Sequence, residues 1–330
     1  MKDIENACVC VRELCDTAFL KGASVLITGG TGLIGGMLAR TLLRLENSIR
    51  LILPVRSLDR LAEEIRSDSR VNAFEADFTR PLAVDGPVDY IVHAASPTAS
   101  RELKEKSAES AAFMTKSVDL LLALAKEKQT RKFLYLSSME VYTGLSGTVT
   151  EDMEGAFDPS NPRSCYPLSK LYGESATGKA GIPAVSVRLA QTFGEGISVN
   201  ENRVFAQFAR SALSGTDIVL RTEGKSVGNY LHISDCVSAL ILLLEKGSGV
   251  YNAAGDNCHM TVRELARLTA ELLSDGKSRI VTDPAPAGTY PPDSAYILDT
   301  SKLKALGWAP KYDVSDMILS LGRDLKGERA

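Results

Sequence analysis

The sequence has little of several features that mark large classes of protein. Its 330 residues include 6 cysteines, 3 histidines and 1 tryptophan, and its net charge is −3. So few cysteines exclude a disulfide scaffold, and a slightly acidic chain offers no basic field to nucleic acid or to an anionic membrane. The most apolar run, ALILLLEKG, is far shorter than the ~20 residues of a membrane-spanning helix. We therefore expect no nucleic-acid partner and no membrane partner.

The first residues lack the pattern of an export signal, and the early cysteines lack that of a metal site. Asp3 stands where a signal peptide would be basic, so a cytoplasmic location is expected. Cys8, Cys10 and Cys15 have neither the usual zinc spacing nor a second cluster, so no metal site is predicted. Apolar residues recur here at intervals of three and four, which predicts a helix. We assign residues 1–21 to an N-terminal helical extension on the outside of the domain.

Apolar strand-like runs alternate with helical segments from Ser24 onward. SVLIT, IRLILPV, VNAFEAD, VDYIVHAA, RKFLYLSS and IPAVSVRL read as strands, and helical segments lie between most of them. Continuous apolar strands that alternate with helices indicate a parallel sheet covered on both faces. We predict an α/β fold with a doubly wound, Rossmann-like parallel sheet in residues 22–190.

This alternation loosens after Leu189. Helices are predicted around NRVFAQFARSAL, SDCVSALILLLEK and TVRELARLTAELL, and the last begins with a capping box in which Glu264 follows Thr261 by three residues. DIVL and GVYNAAG indicate strands, and DPAPAGTYPPDSA indicates a Pro-rich loop. We predict a smaller C-terminal α/β lobe, residues 191–330, that is entwined with the edge of the sheet.

A glycine-rich turn joins the first predicted strand to the helix that follows it. In VLITGGTGLIGGMLAR, Gly29, Gly30, Gly32 and Gly35 allow a tight turn and let a pyrophosphate approach the backbone. The helix N-terminus then offers free N–H groups and a partial positive charge. Because the glycines follow a strand and open a helix, we predict that residues 22–190 form a dinucleotide-binding domain.

The end of the second predicted strand bears on which dinucleotide binds. An acidic residue at this place would accept hydrogen bonds from a ribose 2′-hydroxyl and would indicate NAD. The chain has Arg56 and Ser57 there instead, with Arg60 close by. An arginine can pair with a 2′-phosphate, which slightly favours NADP, or stack on adenine and tolerate either cofactor. Asp77 and Phe78, after the third strand, are expected beside the adenine.

The segment RSCYPLSKLYGES places Tyr166 and Lys170 four residues apart, on one face of a predicted helix. A free tyrosine, with a pKa of about 10, is a poor base at neutral pH. A neighbouring ammonium stabilises the phenolate and lowers that pKa. Ser138 ends a predicted strand, and such a hydroxyl faces the ligand crevice of a doubly wound sheet. We predict that Ser138 holds a substrate hydroxyl or carbonyl while Tyr166 moves the proton.

With these motifs in place, the chain resembles the extended short-chain dehydrogenase/reductases, in the branch of NAD(P)-dependent nucleotide-sugar epimerases and dehydratases. TGGTGLIG, HAAS, SSMEVY, YPLSK and LDTSKLKALGW occur in the order that this family has. The resemblance runs from about Ala23 to Asp313. It implies an enzyme with NAD or NADP, a nucleotide-sugar substrate bound by residues 191–330, and a homodimer formed through two helices beside the active site.

The resemblance also implies roles for individual residues. The catalytic residues would be Ser138, Tyr166, Lys170 and Glu140. The cofactor-binding residues would be Gly29, Gly32, Leu33, Ile34, Gly35, Arg56, Ser57, Asp77, Phe78, Ala94, Ala95, Ser96, Tyr166 and Lys170. The substrate-binding residues would be Ser96, Thr98, Ser138, Met139, Gln191 and His232.

Departures from the family's pattern bear on the reaction. Dehydratases have an aspartate where this chain has Met139, and a methionine cannot protonate a departing hydroxyl. Glu140 matches the dehydratases' glutamate, and it would either remove a proton next to the ketone or only orient its neighbours. Decarboxylases carry an arginine just before the segment that here reads YILDTSK. This chain has Tyr296, Ile297 and Leu298 there, so nothing obvious holds a carboxylate.

Three further positions also differ from the family. Gly228 stands where an arginine is frequent, Gln191 replaces the usual asparagine, and Phe113 stands where most members carry an asparagine. Together these departures favour an epimerase that works through a transient keto-sugar. The alternatives are an NADPH-dependent reductase of a keto-sugar or other carbonyl, a dehydratase or decarboxylase, and a non-catalytic dinucleotide sensor. His93, at a strand end, is expected to be packed or hydrogen-bonded.

Overall fold

The helices and strands follow the predicted alternation. The computed structural model describes residues 1–158, 160–198, 200–286 and 293–327. The strands of these residues are β1 (Ser24–Thr28), β2 (Arg50–Val55), β3 (Val71–Glu75), β4 (Tyr90–His93), β5 (Lys132–Ser138), β6 (Ser146–Val149), β7 (Ala184–Leu189), β8 (Gln191–Phe193), β9 (Ile218–Leu220), β10 (Val227–His232), β11 (Gly249–Ala253), β12 (His259–Thr261), β13 (Ile280–Thr282) and β14 (Ala295–Leu298). The α-helices are α1 (Lys2–Leu14), α2 (Leu33–Leu45), α3 (Glu63–Arg66), α4 (Ser100–Glu105), α5 (Ser107–Glu127), α6 (Cys165–Gly178), α7 (Val204–Leu213), α8 (Ile233–Lys246), α9 (Val262–Leu273), α10 (Ser301–Lys304) and α11 (Val314–Leu325).

Seven parallel strands form the central sheet, in the order β11-β7-β5-β4-β1-β2-β3. Helices cover both faces, and every residue of β1 is buried. The chain runs from β1 through β2 to β3 and then returns to β4 on the other side of β1. The carboxyl ends of β1 and β4 therefore border a crevice, which is where ligands bind in such sheets. The fold is α/β and Rossmann-like, as predicted.

The second half of the chain builds a smaller lobe and also completes the large sheet. The lobe holds the small sheets β12-β10-β8 and β13-β9, while β14 pairs with β6. Helices α7, α9 and α11 enclose an apolar cluster in which the rings of Phe193 and Phe205 stack 4.4 Å apart. Strand β11 returns to the large sheet beside β7. The predicted capping box of Thr261 and Glu264 opens α9, and residues 287–292 of the predicted Pro-rich loop lie outside the described residues.

Helix α1 packs outside the sheet, against α8 and α2. Ile4, Ala7, Cys8 and Val11 form its buried apolar stripe. The cysteines of the chain are unpaired thiols, and those of α1 serve as small packing groups. Among the described residues, none of the helices combines the length and apolar character that crossing a bilayer requires.

Candidate active site

The glycine turn between β1 and α2 forms a cradle that depends on bare backbone. Gly29 has a φ of +73°, in the left-handed region, and a Cβ added to it would lie 2.9 Å from backbone atoms of Ala94 and Ala95. A Cβ on Gly35 would lie 2.4 Å from the carbonyl oxygen of Gly29. Gly32 is the N-cap of α2, so the first N–H groups of that helix are left for a ligand. This cradle fits the pyrophosphate of a dinucleotide.

Thr28 ties the neighbouring wall of the cradle to β1. Its hydroxyl oxygen accepts hydrogen bonds from the N–H groups of Ala94 and Ala95, each at 3.1 Å. The hydroxyl donates its own proton to Nδ1 of His93 at 2.8 Å. The other ring nitrogen then donates to Ser117 Oγ at 3.2 Å, and burial lowers the pKa of His93 to about 3. A neutral, packed histidine therefore helps to fix this wall, as expected for His93.

The cleft at the carboxyl edge of the sheet has two compartments that share the cradle. The larger has a volume of about 590 Å³ and the smaller about 500 Å³, sizes that are usual for ligand sites. Of the predicted site residues, the larger compartment is lined by Gly29, Gly32, Leu33, Ile34, Gly35, Ala94, Ser96, Thr98, Ser138, Met139, Glu140, Tyr166, Lys170 and Gln191. The smaller is lined by Gly29, Gly32, Arg56, Phe78, Ala94, Ala95, Ser96 and Thr98.

The smaller compartment has the features of a nucleoside site. Phe78 and Phe113 meet edge to face, with centroids 6.3 Å apart, and give a flat base an apolar wall. Phe113 stands where the family usually has an asparagine, so an aromatic ring replaces an amide here. Arg56 and Arg60 also line this compartment, and neither pairs with an acidic side chain of the described residues. Both cations are thus available to a phosphate.

Two residues predicted to bind the cofactor do not line either compartment. Asp77 turns to its own loop, where its carboxylate accepts hydrogen bonds from the N–H and the hydroxyl of Thr79 at 2.9 and 2.7 Å. Those two bonds lower the pKa of Asp77. Ser57 is the N-cap of a short 3-10 turn that ends at Arg60. The structure therefore gives Asp77 and Ser57 local roles in shaping the chain beside the compartment.

The three residues predicted to transfer the proton come together at the far end of the larger compartment. Ser138 ends β5, and the first two turns of α6 carry Tyr166 and Lys170. Tyr166 and Lys170 are 7% and 4% exposed, so both face the interior of the cleft wall. The Ser138 hydroxyl lies close enough to the Tyr166 phenol to lower its pKa. This arrangement can hold a substrate oxygen between a serine hydroxyl and a phenol.

Burial dominates the chemistry of Tyr166 and raises the pKa of its phenol to about 12. The charge of Glu140 raises this pKa as well, whereas the Ser138 hydroxyl lowers it. The cations of Arg163 and Arg203 also lower it. The phenol is therefore protonated at neutral pH, and nearby positive charge decides how readily it becomes a base.

The position of Lys170 corrects the prediction that its ammonium lowers the pKa of Tyr166. Its Nζ donates to the carbonyl oxygen of Leu136 at 2.8 Å and lies 5.5 Å from the centroid of the Tyr166 ring. The ammonium thus lies over the ring of Tyr166. Burial also lowers the pKa of Lys170 to about 8. The two side chains face one another, as predicted, but burial of the phenol outweighs the attraction.

Arg163 is the cation that the sequence reading missed. One of its Nη atoms lies 2.7 Å from a carboxylate oxygen of Glu140, and its guanidinium lies 5.1 Å from the centroid of the Tyr166 ring. Arg163 precedes Tyr166 by three residues, a spacing that places side chains on one helical face. Glu140 is therefore held by Arg163, which supports the orienting role among the two considered for it.

The residues predicted to bind substrate that line the larger compartment are Ser96, Thr98, Ser138, Met139 and Gln191. Glu201 and Arg203 line the same compartment. They form an ion pair that no sequence motif indicated, with Nη2 of Arg203 2.6 Å from Oε2 of Glu201. Arg203 supplies a positive charge to this compartment. No local pattern marks this pair, because its place depends on how the segment between β8 and α7 folds over the cleft.

His232 does not reach the cleft, which corrects the prediction that it binds substrate. Its side chain is fully buried, and its ring lies 4.4 Å from that of Tyr312, centroid to centroid. Nδ1 accepts a hydrogen bond from the N–H of Ser234 at 3.1 Å, and Nε2 lies 3.6 Å from Oδ2 of Asp3. Burial lowers the pKa of His232. The residue belongs to the interior between α1 and the C-terminal segment.

Comparisons with known proteins agree with this geometry. A model of the NAD dependent epimerase/dehydratase family matches residues 25–254. UDP-glucuronic acid decarboxylase 6 of Arabidopsis thaliana is 28% identical over 320 residues, which cover 93% of this chain and 90% of the relative.

Solved structures share the fold. An epimerase of Methanothermobacter thermautotrophicus superimposes with a TM-score of 0.78 at 17% identity, covering 99% of this chain and 96% of the other. UDP-glucose 4-epimerase of Thermotoga maritima, solved with UDP-glucose, gives a TM-score of 0.77 at 22% identity and covers 93% of this chain and 100% of the other.

Proposed function

The chain belongs to the NAD dependent epimerase/dehydratase family, and on that premise we propose that it is a nucleotide-sugar epimerase working through a transient keto-sugar. Membership confirms the resemblance seen in the sequence. One observation carries the proposal: Ser138, Tyr166 and Lys170 meet in the larger compartment, next to a glycine cradle shaped for a pyrophosphate. Proton transfer and hydride transfer require those two features side by side.

In the proposed reaction, Ser138 holds a sugar hydroxyl and Tyr166 removes its proton. Gly29, Gly32 and Gly35 would hold the pyrophosphate of the dinucleotide, which when bound would supply reversible hydride acceptance. Tyr166 gives the proton back to the sugar oxygen once the keto-sugar has presented its other face. Arg163 and Arg203 supply the positive charge that favours the phenolate against the effect of burial. Both the hydride and the proton return to the sugar, so the product is an isomer of the substrate.

A decarboxylase is the second candidate, and a specific observation favours it. The curated relative named above acts on UDP-glucuronic acid by its name, and Arg203 offers the cleft a cation for a carboxylate. Against it, Tyr296 occupies the region where decarboxylases carry an arginine, and its hydroxyl donates to the Met139 carbonyl at 3.1 Å. The tyrosine thus fixes a wall of the cleft and binds no anion. We therefore keep epimerisation first.

The deciding experiment offers the purified chain UDP-glucose and UDP-glucuronic acid with catalytic amounts of NAD. An epimerase yields a new isomer by NMR with no lasting reduction of the nicotinamide. A decarboxylase releases CO₂ from the uronic acid. Steady consumption of NADPH by a keto-sugar would identify a reductase, and unchanged substrates in every mixture would contradict the proposal.

We further propose a division of labour between the lobes and a slight preference for NADP. Residues 22–190 would hold the cofactor and residues 191–330 the sugar, with residues 1–21 as an extension. Arg56 and Arg60 beside the nucleoside compartment support a 2′-phosphate. A cytoplasmic location stays a prediction.

A homodimer through α5 and α6 is also proposed. On α6, Leu168 and Tyr172 lie one turn apart and are 41% and 43% exposed, unusually open for large apolar side chains. Tyr172 donates to Asp119 of α5 at 2.7 Å, so the two helices present one continuous face. Light scattering of the wild type and of Leu168→Glu tests this, since a charge at a dimer contact would yield monomers.

A further inference from the structure

Helix α1 reaches toward the cleft through one buried carboxyl group, on Asp3. This side chain is fully buried, whereas aspartates almost always lie at the surface unless paired. Its Oδ2 accepts hydrogen bonds from the N–H of Glu195 at 3.0 Å and from the hydroxyl of Ser320. The N–H of Asp3 in turn donates to the Glu195 carboxylate at 3.0 Å. Two reciprocal hydrogen bonds therefore join Asp3 to Glu195, although 192 positions separate these residues in the sequence.

The segment that Asp3 holds belongs to the cleft. Residues 194–198, called the cleft loop below, follow β8 and line the larger compartment with Gly196, Ile197 and Ser198. Gly196 has a φ of +92°, a conformation that costs a glycine nothing and therefore does not fix the backbone by itself. The position of the loop must come from the groups that bind it.

Two carboxyl groups outside the cleft bind the backbone of the cleft loop. Asp3 accepts the N–H of Glu195, and Asp324 of α11 accepts the N–H of Gly196 at 3.0 Å. Packing at this junction is close: a Cβ on Gly194 would lie 2.7 Å from Oδ2 of Asp3. The loop therefore has little freedom to shift without moving the start of α1.

Helix docking alone does not account for an aspartate at this position. Oδ1 of Asp3 and Nε2 of His232 are buried and have no hydrogen-bond partner among the described residues. Burying polar atoms in that state is costly, and an apolar residue would pack α1 against α8 without the penalty. The hydrogen bond that the Asp3 carboxylate accepts from the N–H of Glu195 is what an apolar residue would not supply.

We infer that Asp3 is a positioning residue: through the backbone of Glu195 it sets the cleft loop at the sugar side, so α1 governs substrate affinity without touching substrate. This inference rests on the proposed function, since it takes the cleft loop to contact a nucleotide-sugar. It predicts that damage at Asp3 weakens substrate binding and leaves the cofactor cradle unaffected.

The test compares Asp3→Ala with the wild-type full chain by calorimetry, using UDP-glucose and UDP-glucuronic acid as substrate probes and NAD as cofactor probe. We expect Asp3→Ala to weaken binding of the substrate probes about tenfold, the effect of losing a hydrogen bond to a charged group, and to leave NAD affinity within about twofold. Asp3→Asn keeps an acceptor oxygen for Glu195 and should bind nearly as the wild type does.

Val11→Ala is the matched control, because Val11 is a fully buried residue of the same helix and belongs to a different apolar cluster from Ile197 of the cleft loop. It should loosen α1 without changing either affinity. Equal losses for substrate and NAD, or the same substrate loss in Val11→Ala, would overturn the inference.

Hydrogen exchange separates this inference from the proposed function. The amide of Glu195 should exchange faster in Asp3→Ala than in the wild type or in Val11→Ala. If the wild type binds no nucleotide-sugar, the proposed function fails while exchange still decides whether Asp3 holds the loop. Unchanged exchange at Glu195 would overturn the inference even if the enzyme proves active.

Discussion

The two sides of the cleft are built by different means. On the cofactor side, backbone contacts shape the wall. Gly29 and Gly35 lack side chains where backbone segments come very close together, and the Thr28 hydroxyl binds the N–H groups of the facing segment. These contacts come from two strand ends that are neighbours in the sheet. Their geometry follows from the fold and leaves little freedom to the sequence.

On the sugar side, ion pairs between side chains shape the wall. Arg163 holds Glu140, and Arg203 pairs with Glu201. The first pair joins two segments of residues 22–190, and the second lies within one segment of residues 191–330. Two departures from the family's pattern, Met139 and Gln191, line this side, and a third, Phe113, lines the nucleoside compartment.

Substitution of Tyr166, where the two sides meet, has the largest expected effect. Tyr166→Phe keeps the ring and removes the group that carries the proton, so turnover should fall by about a thousandfold or more. NAD affinity should stay within about twofold, because the cradle does not use the phenol oxygen. NMR of the reaction mixture measures the turnover, and calorimetry with NAD measures the cofactor affinity. Wild-type turnover would show that the proposed proton transfer is wrong.

Substitution within the cradle tests the cofactor side alone. Gly35→Ala forces a Cβ against the Gly29 carbonyl oxygen, so NAD affinity should fall about a hundredfold, the scale of an ångström-sized displacement at a binding site. UDP-glucose affinity should change little. Gly30→Ala is the matched control, since its Cβ would meet Leu53 at an ordinary 3.6 Å. Similar losses in both variants would mean that general damage, not the cradle, is being measured.

Removal of Arg163 tests the charge balance on the sugar side. Its cation lowers the pKa of Tyr166, so Arg163→Met should raise that pKa and shift the rate profile to higher pH. A shift of about one unit would lower the neutral-pH rate about tenfold. Glu140→Gln removes a charge that raises the same pKa, so its profile should shift to lower pH. Shifts in one common direction would refute the electrostatic explanation.

The smallest expected effect concerns the choice of cofactor. Arg56→Ala should weaken NADP by about fivefold, as expected for an exposed ion pair, and NAD by less. Arg60→Ala, beside the same compartment, shows which arginine faces the 2′-phosphate. Calorimetry gives the ratio of NADP affinity to NAD affinity for each variant and for the wild type. Equal losses for NAD and NADP in Arg56→Ala would remove the proposed preference.

The difference between the two sides of the cleft also explains which features could be predicted from the sequence. The sheet, the glycine turn and the neighbouring positions of Ser138, Tyr166 and Lys170 follow from apolar runs and short spacings, which are local signals. Arg203 and the cleft loop depend on how distant segments pack, and nothing near them in the sequence marks them. The error about Tyr166 has a related cause: its spacing to Lys170 is visible in the sequence, but the burial that raises its pKa is not.

The partners of Asp3 also have a consequence for the order of assembly during synthesis. Helix α1 is translated before the residues that anchor it, which are Glu195, Ser234 and Ser320. The ribosome must therefore release the residues up to Ser320 before all of these bonds can form. We expect α1 to settle late, so that nascent chains carry an exposed apolar helix for chaperones to shield.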